Sequence, residues 1–388
     1  MRISRVELER TPQADELSGL VGDYRLWYRF APGTVGAASA DSFLAAALLP
    51  AMARGESLEL DPELAVSPKL LAGTEPLQEI FATWLPQLKR ISVSARTALP
   101  AAAKEGVACF FSGGVDSLYS YLRHEDEISH LIQIHGYDYR RENRSLAEEA
   151  ERANLRFAEP RAKRLVVVES NFRELFEQHR IHIYVYHGAI LASIALALGL
   201  RKVYVPGTFT WASLKPCGTH PVCDPLWSNE SVTIVHDGAE ARRVDKIRRI
   251  GEDQVALDLL RVCPRNNTYS CGQCEKCLRT RVCLRVLGLR SAQFAPLEST
   301  APIYRIALVS AWWREIWAEN LEAAKAAGDR RLARAIAFVL ARYDVRRVLL
   351  SLDLVLFGGW VRRQWIRLRR SLSRKVLGPP ILRLDNED

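Results

Sequence analysis

Two short stretches of this chain carry residue types whose order suits chemistry. The first is Ser112-Gly113-Gly114-Val115-Asp116-Ser117, directly after the apolar run Val107 to Phe111. Two glycines permit backbone angles that other residues resist, and a helix starting at once aims its first N–H groups at an anion. Ser112 and Ser117 add hydroxyl donors. Asp116, an acceptor only, is expected to orient a Mg2+ ion or the loop itself. The pattern G-x-x-x-x-G-K-[ST] does not occur in the chain, which argues against a P-loop NTPase. The second stretch is Cys263-x7-Cys271-x2-Cys274-x2-Cys277, with Gly272 loosening its turn. Four soft ligands in one small loop suit tetrahedral Zn2+ in a closed, structural site. An iron–sulfur cluster takes the same four ligands, but nothing else in the chain suggests electron transfer, so zinc is the expected metal.

Other positions fit a site by location. His135-Gly136 closes a second apolar run and Gly207-Thr208 a fourth. Lys246, within Arg242-Arg243-Val244-Asp245-Lys246, either neutralises a leaving pyrophosphate or rides on a solvated helix face. In the loop Cys217-Gly218-Thr219-His220-Pro221-Val222-Cys223-Asp224, the side chains of His220, Cys223 and Asp224 either contact an acceptor or shape the loop. Cys217 and Cys223 also suit a sulfur-transfer pair, one thiolate carrying a persulfide that the other resolves; two loop cysteines without such a role are commoner. Cys109 reads as core and Cys283 as packing on the following helix. His187, opening an apolar helix, is either ligand-facing or a buried cap.

These residues need elements to hold them. From about residue 106 the pattern alternates strands and helices: Val107 to Phe111, a helix through Arg123, His130 to His135, Arg164 to Glu169, a buried helix from Ile183 to Gly199, and Val203 to Pro206. That alternation predicts an α/β fold with a parallel sheet covered on both faces, whose ligands bind beyond the strands' carboxyl ends. Residues 1–98 mix alternating runs (Ile3 to Leu8, Tyr24 to Phe30) with an apolar helical stretch, Ser42 to Ala53, as a small α+β lobe. The Ala-rich stretch from Ala98 to Gly106, with Pro100, reads as a linker. After about residue 300 the chain reads helical: Tyr304 to Ala326, Arg330 to Tyr343, and a basic stretch from Val345 to Lys375. The expected domains are therefore 1–98, 106–295 and 300–388.

Ser-Gly-Gly-Val-Asp-Ser after a first strand resembles the signature of the PP-loop, or N-type, ATP pyrophosphatase superfamily. A Cys-rich knuckle with a Cys-Gly-x-Cys-x2-Cys core about 150 residues later narrows the likeness to 7-cyano-7-deazaguanine synthase-like and adenine nucleotide α-hydrolase-like proteins. The likeness covers roughly residues 106–290. It implies a Rossmann-like parallel sheet and an ATP site formed by the Ser112 loop, His135, Gly207 and Thr208, with adenine near His135. It also implies Mg2+ and Zn2+, and adenylation of an acceptor carboxylate or carbonyl that releases pyrophosphate and lets a nitrogen nucleophile displace AMP. Asp116 and Lys246 would be the catalytic pair. The acceptor loop matches only loosely in its Pro-x-Cys element, and the N-terminal lobe and helical tail have no counterpart in the simple synthase. Two other readings share the same loop: a sulfurtransferase acting on RNA or a small molecule, and a nucleotide-binding partner protein without turnover.

Composition bounds these readings. With 48% hydrophobic and 26% charged residues the 388-residue chain can bury a sizeable core, and its net charge of +9 favours anionic partners. The excess is uneven: from Arg342 to Asp388 there are 11 Lys/Arg against 5 Asp/Glu. That tail, with Arg362, Arg363, Arg367, Arg369, Arg370, Arg374 and Lys375 interleaved with Trp360 and Trp365, suits RNA, an acidic protein, a membrane surface, or a helix packed on the core. No signal-like start or membrane-spanning apolar run occurs, and the clustered cysteines suit a metal rather than disulfides, so the expected compartment is the cytoplasm.

Overall fold

In the computed structural model, which describes residues 1–264, 268–360 and 363–364, the N-terminal alternation becomes three antiparallel strands. These are β1 (Arg2–Arg10), β2 (Asp15–Val21) and β3 (Tyr24–Phe30). Helix α1 (Ala40–Arg54) follows, capped by Ser39 and stopped by Gly55 in the left-handed conformation. Short strands β4 (Leu58–Leu60), β5 (Ala65–Val66), β6 (Val93–Ser94) and β7 (Arg96–Thr97) surround helix α2 (Pro68–Trp84). Residues 98–103 carry no helix or strand.

The alternating part then begins. Its elements are β8 (Lys104–Phe110), α3 (Val115–Arg123), β9 (His130–His135), α4 (Arg144–Ala158), β10 (Arg164–Ser170), α5 (Phe172–Gln178), α6 (Ile183–Leu198), β11 (Leu200–Pro206), β12 (Thr233–Asp237), α7 (Arg243–Ile250) and α8 (Gln254–Leu259). Strand β12 was missing from the sequence reading. Ten strands make one sheet in the order β12-β11-β8-β9-β10-β3-β2-β1-β4-β6. The first five are parallel. Strand β3 runs antiparallel to β10, so the N-terminal strands extend the same sheet.

Strand periodicity sorts side chains to two buried faces. Ala108, Phe110, Ile132, Ile134, Val166 and Val168 point into a core shared with α1 and α6. On the opposite side Phe111, Tyr121 and Phe157 form a ring cluster with centroids 5.2–6.0 Å apart, seating α3 and α4. The chain leaves β8 toward β9 and β10, then returns to the other side of β8 for β11 and β12. That reversal falls between the adjacent strands β8 and β11, and sheets of this kind bind ligands beyond the carboxyl ends of the strands at such a point.

This unit spans Met1–Ser270, and a second begins at Cys271. The second consists of α9 (Glu275–Leu287), α10 (Ala301–Tyr304), α11 (Ala311–Ala326) and α12 (Arg330–Phe357). Its core gathers Leu278, Val282, Trp317, Leu332, Ile336 and Val339. The buried Trp317 donates its indole N–H to Glu275 at 2.9 Å, and Arg314 clamps Asp344 with two bonds of 2.6 and 2.8 Å. Two expectations are corrected here. The helix read from Tyr304 to Ala326 is broken over 305–310, where Ser310 caps a new start. The division after Tyr343 does not occur, because α12 runs unbroken to Phe357. Trp365 and the basic residues Arg362, Arg367, Arg369, Arg370, Arg374 and Lys375 lie outside the described residues. Among the described residues no helix is long and apolar enough to cross a membrane.

Candidate functional site

The turn after β8 is built by local rules. Gly113 sits at φ +72°, a conformation L side chains rarely adopt, and a Cβ there would stand 3.3 Å from Asn154 Oδ1. Gly114 is the N-cap of α3 but offers no side-chain cap, so the helix's leading N–H groups have no capping side chain. The hydroxyls of the two serines brace the turn internally. Ser117 donates to Gly114 O at 3.1 Å and accepts from Ser112 N–H, while Ser112 Oγ accepts from Gly114 N–H. Val115 is buried beneath them. The serine bonds thus fix the shape of the turn at the positive end of α3.

Around it the structure gathers cations. Lys246 on α7 is 1% exposed; its ammonium donates to Asp116 Oδ1 at 2.9 Å and to Gly207 O at 2.6 Å. Thr208 donates to the other Asp116 oxygen at 3.1 Å. Burial pushes the Asp116 carboxyl up, but the charges of Lys246 and Arg243 and the bonds from Lys246 and Thr208 outweigh it and hold it below the usual carboxylate range. Asp116, Lys246, Gly207 and Thr208 therefore meet in one cluster at the carboxyl ends of β8 and β11.

Three neighbours of this cluster escaped the sequence reading. Arg261 donates its backbone N–H to Gly113 O at 2.8 Å, and its side chain is buried over the Tyr139 ring, 5.0 Å away. Its Nε and Nη2 have no hydrogen-bond partner, and Asp138 stands 3.9 Å from Nη1. A buried guanidinium with idle donors suits an anion better than a packing role. Arg243 is the second: its Nε is also buried without a partner. The third is His236 at the end of β12, whose Nδ1 lies 2.7 Å from Asp224 Oδ2. A Cβ on Gly207 would fall 2.3 Å from His236 Nε2, so glycine is required there for close approach.

Residues of the loop from Cys217 to Asp224 join this arrangement from the other side. Asp224 Oδ1 accepts the backbone N–H of His220 at 3.3 Å, and the His220 ring meets Trp84 edge-on at 5.1 Å. A continuous line thus runs from Asp116 through Lys246, Gly207, His236 and Asp224 to His220. Cys223 is fully buried, and burial pushes its thiol well up. Cys217 Sγ lies 3.7 Å from His187 Nε2. Burial lowers that imidazole to about 4, so it is neutral near pH 7; with Ile183 O accepting from Nδ1–H, its Nε2 is an acceptor. His135 ends β9 and is also depressed by burial; it lies 3.5 Å from Glu151, and among the described residues no hydrogen bond or ion pair ties it to the Asp116 cluster.

Cys263, Cys271, Cys274 and Cys277 converge as their spacing predicts. Their four sulfurs lie within 4.8 Å of one another, which makes a cluster able to chelate a metal ion. Cys274 donates its N–H to Cys271 Sγ at 3.2 Å, and Cys271 and Cys277 sulfurs are 3.9 Å apart. A tetrahedral site with metal–sulfur bonds of about 2.3 Å has sulfur–sulfur edges of about 3.8 Å, close to this spacing. Arg281 fixes the knuckle by donating to Gly272 O, Ala295 O and Pro296 O.

No family model matches the chain, and no curated protein or solved structure matches it either.

Proposed function

We propose that the chain is an ATP pyrophosphatase-type enzyme on a Rossmann-like sheet, which adenylates an acceptor carboxylate or carbonyl and releases pyrophosphate for replacement of AMP by a nitrogen nucleophile. The observation that carries this reading is the uncapped start of α3 flanked by buried Lys246 and by Arg261 with its idle donors. Such a set of donors stabilises charge that grows on a departing diphosphate. The strand order supports it, because the loop occupies the reversal point where phosphates of nucleotides bind in sheets of this kind.

The residues take distinct roles. The N–H groups of Val115, Asp116 and Ser117 bind the diphosphate, and Gly113 gives them room. Lys246 neutralises the leaving group, and Asp116 with Gly207 O holds the ammonium in place. Both oxygens of Asp116 already accept hydrogen bonds, so its fit is to orienting Lys246; Mg2+ would enter on the nucleotide's own phosphates. His135 would line the adenine end. His220 and Asp224, with His236, would face the acceptor. The cysteine cluster fits Zn2+ and would brace the segment that carries Arg261, since Cys263 lies two residues on.

Incubating the protein with Mg·ATP and a small-molecule extract should release AMP and pyrophosphate, with loss of the activity in D116A. Release of ADP and phosphate would overturn the reading. The 3.7 Å approach of Cys217 to the neutral His187 favours a second reading, sulfur transfer after the same adenylation. Replacing Cys217 and Cys223 together by serine abolishes turnover in that case and spares it in the first.

A further inference from the structure

The C-terminal half of α12 has a surface that the proposed chemistry does not use. Up to Tyr343 the helix buries an ordinary stripe, Leu332, Ala335, Ile336, Val339, Leu340 and Tyr343, spaced three and four apart. Beyond Tyr343 the apolar spacing continues, but its large apolar members are exposed and Asp353 is the buried residue. Val345, Val348, Leu349, Leu352, Val355 and Leu356 repeat at the same intervals and are 47–79% exposed. Phe357 and Trp360 prolong the patch at 60% and 56%. A run of large apolar side chains at helical spacing, left open over three turns, marks an interaction surface rather than scattered surface apolarity.

Charge identifies what covers it. From Leu354 to Leu384 the sequence contains eight Lys/Arg and no Asp/Glu. An apolar stripe running directly into a purely basic stretch matches the interface of an anionic bilayer, where acyl chains take the leucines and headgroup phosphates take the arginines. Trp360, apolar with one N–H, is a residue type that favours the headgroup level. A second copy of the chain fits less well, because pairing the stripes would set two strongly basic segments side by side. RNA would satisfy the arginines and leave the leucines and valines in water.

We infer that the exposed apolar face at this end of α12 docks the protein on a negatively charged lipid surface, the basic residues that follow it in the sequence supplying the preference for anionic headgroups. The test is co-sedimentation of the full chain with vesicles of phosphatidylglycerol and phosphatidylcholine, against vesicles of phosphatidylcholine alone. The expected result is at least roughly tenfold stronger partition to the anionic vesicles, weakening as salt is raised. The variant L349E/V355E/F357E changes only exposed positions, so its circular dichroism should match the wild type while its partition falls by roughly tenfold or more. R369Q/R370Q should reduce binding to anionic vesicles and leave the weak binding to neutral ones unchanged. Equal partition to both vesicle types, no partition to either, or undiminished binding by the triple variant would each overturn the inference. So would a stable dimer that forms in solution and is abolished by the triple variant.

Discussion

Replacing Lys246 by Met gives a direct measure of the cluster beside the Ser112 turn. Methionine keeps the length and apolar stem of the side chain but removes the ammonium, which stands 2.9 Å from Asp116 and 2.6 Å from Gly207 O. Breaking a buried ion pair from one side costs about 3–5 kcal/mol, because a charge is left uncompensated. Asp116 retains 23% of its side-chain exposure, so water relieves part of that penalty. A loss of about 2–3 kcal/mol follows, with about 1 kcal/mol more for the carbonyl left without its donor. For a chain of this size about 3 kcal/mol lowers the melting temperature by roughly 4 °C. D116N should cost a similar amount, since it strands the ammonium instead. The double variant, with neither charge, should be more stable than the sum of the single losses predicts by at least about 1.5 kcal/mol. Urea unfolding of the four proteins closes the cycle. Single losses below about 0.5 kcal/mol, or strict additivity, would show that the two groups do not share a desolvated contact, and the argument for a fixed Lys246 would fail.

Other consequences are as specific. G207A drives a methyl to within 2.3 Å of His236 Nε2 and should cost about 2–3 kcal/mol; in H236A the same change should cost under about 1, which paired thermal melts would reveal. His187 stays neutral in the folded chain down to about pH 4 whereas the unfolded ring protonates near its usual value of about 6.5. The unfolded state therefore binds the extra proton between those values, so stability should fall by up to about 3 kcal/mol as pH drops through that window, and H187Q should flatten this slope in urea titrations. Removing metal with a chelator should release zinc in a ratio of one per chain and make four cysteines newly reactive to a thiol reagent, and C271S/C274S should bind none. Visible absorption bands of an iron–sulfur cluster in the purified protein would refute the zinc assignment.

Much of the architecture was readable because it rests on short-range patterns. The turn at Ser112 follows an apolar strand and opens a helix, and the strand over His130–His135 and the helix from Ile183 are visible as runs of apolar residues. The cysteine spacing is a local signal for a cluster, and the four sulfurs do come together. What escaped depends on long-range pairing. Strand β12 is five residues long with threonine, histidine and aspartate in it, too brief for alternation to register. The union of the N-terminal strands with the parallel sheet rests on the pairs Glu169–Arg29 and Ser170–Tyr28, and no local signal announces it. Arg261 resembles any basic residue near a cysteine; only its burial, with donors unused, distinguishes it.

Lys246 shows most clearly why sequence pattern and site geometry diverge. In Arg242-Arg243-Val244-Asp245-Lys246 the charges look like a solvated helix face, and for Arg242, Asp245 and Arg248 they are one: these residues pair with each other at the surface. Lys246 is different because α7 packs on α3 with Val244 and Ile247 inward, which carries position 246 to the carboxyl ends of β8 and β11. An ammonium there persists only where oxygens meet it, and Asp116 and Gly207 supply them. The oxygen from Gly207 is in place because β11 ends there, and the residue can be nothing larger than glycine because His236 lies against it, held by Asp224. The loop from Cys217 to Asp224 is thereby mechanically tied to Lys246. Disturbing Asp224, for instance by D224N, should then be felt at Lys246 as well as at His220, which a shift in affinity for inorganic pyrophosphate would register. An unchanged affinity would mean that the two ends of the site act independently.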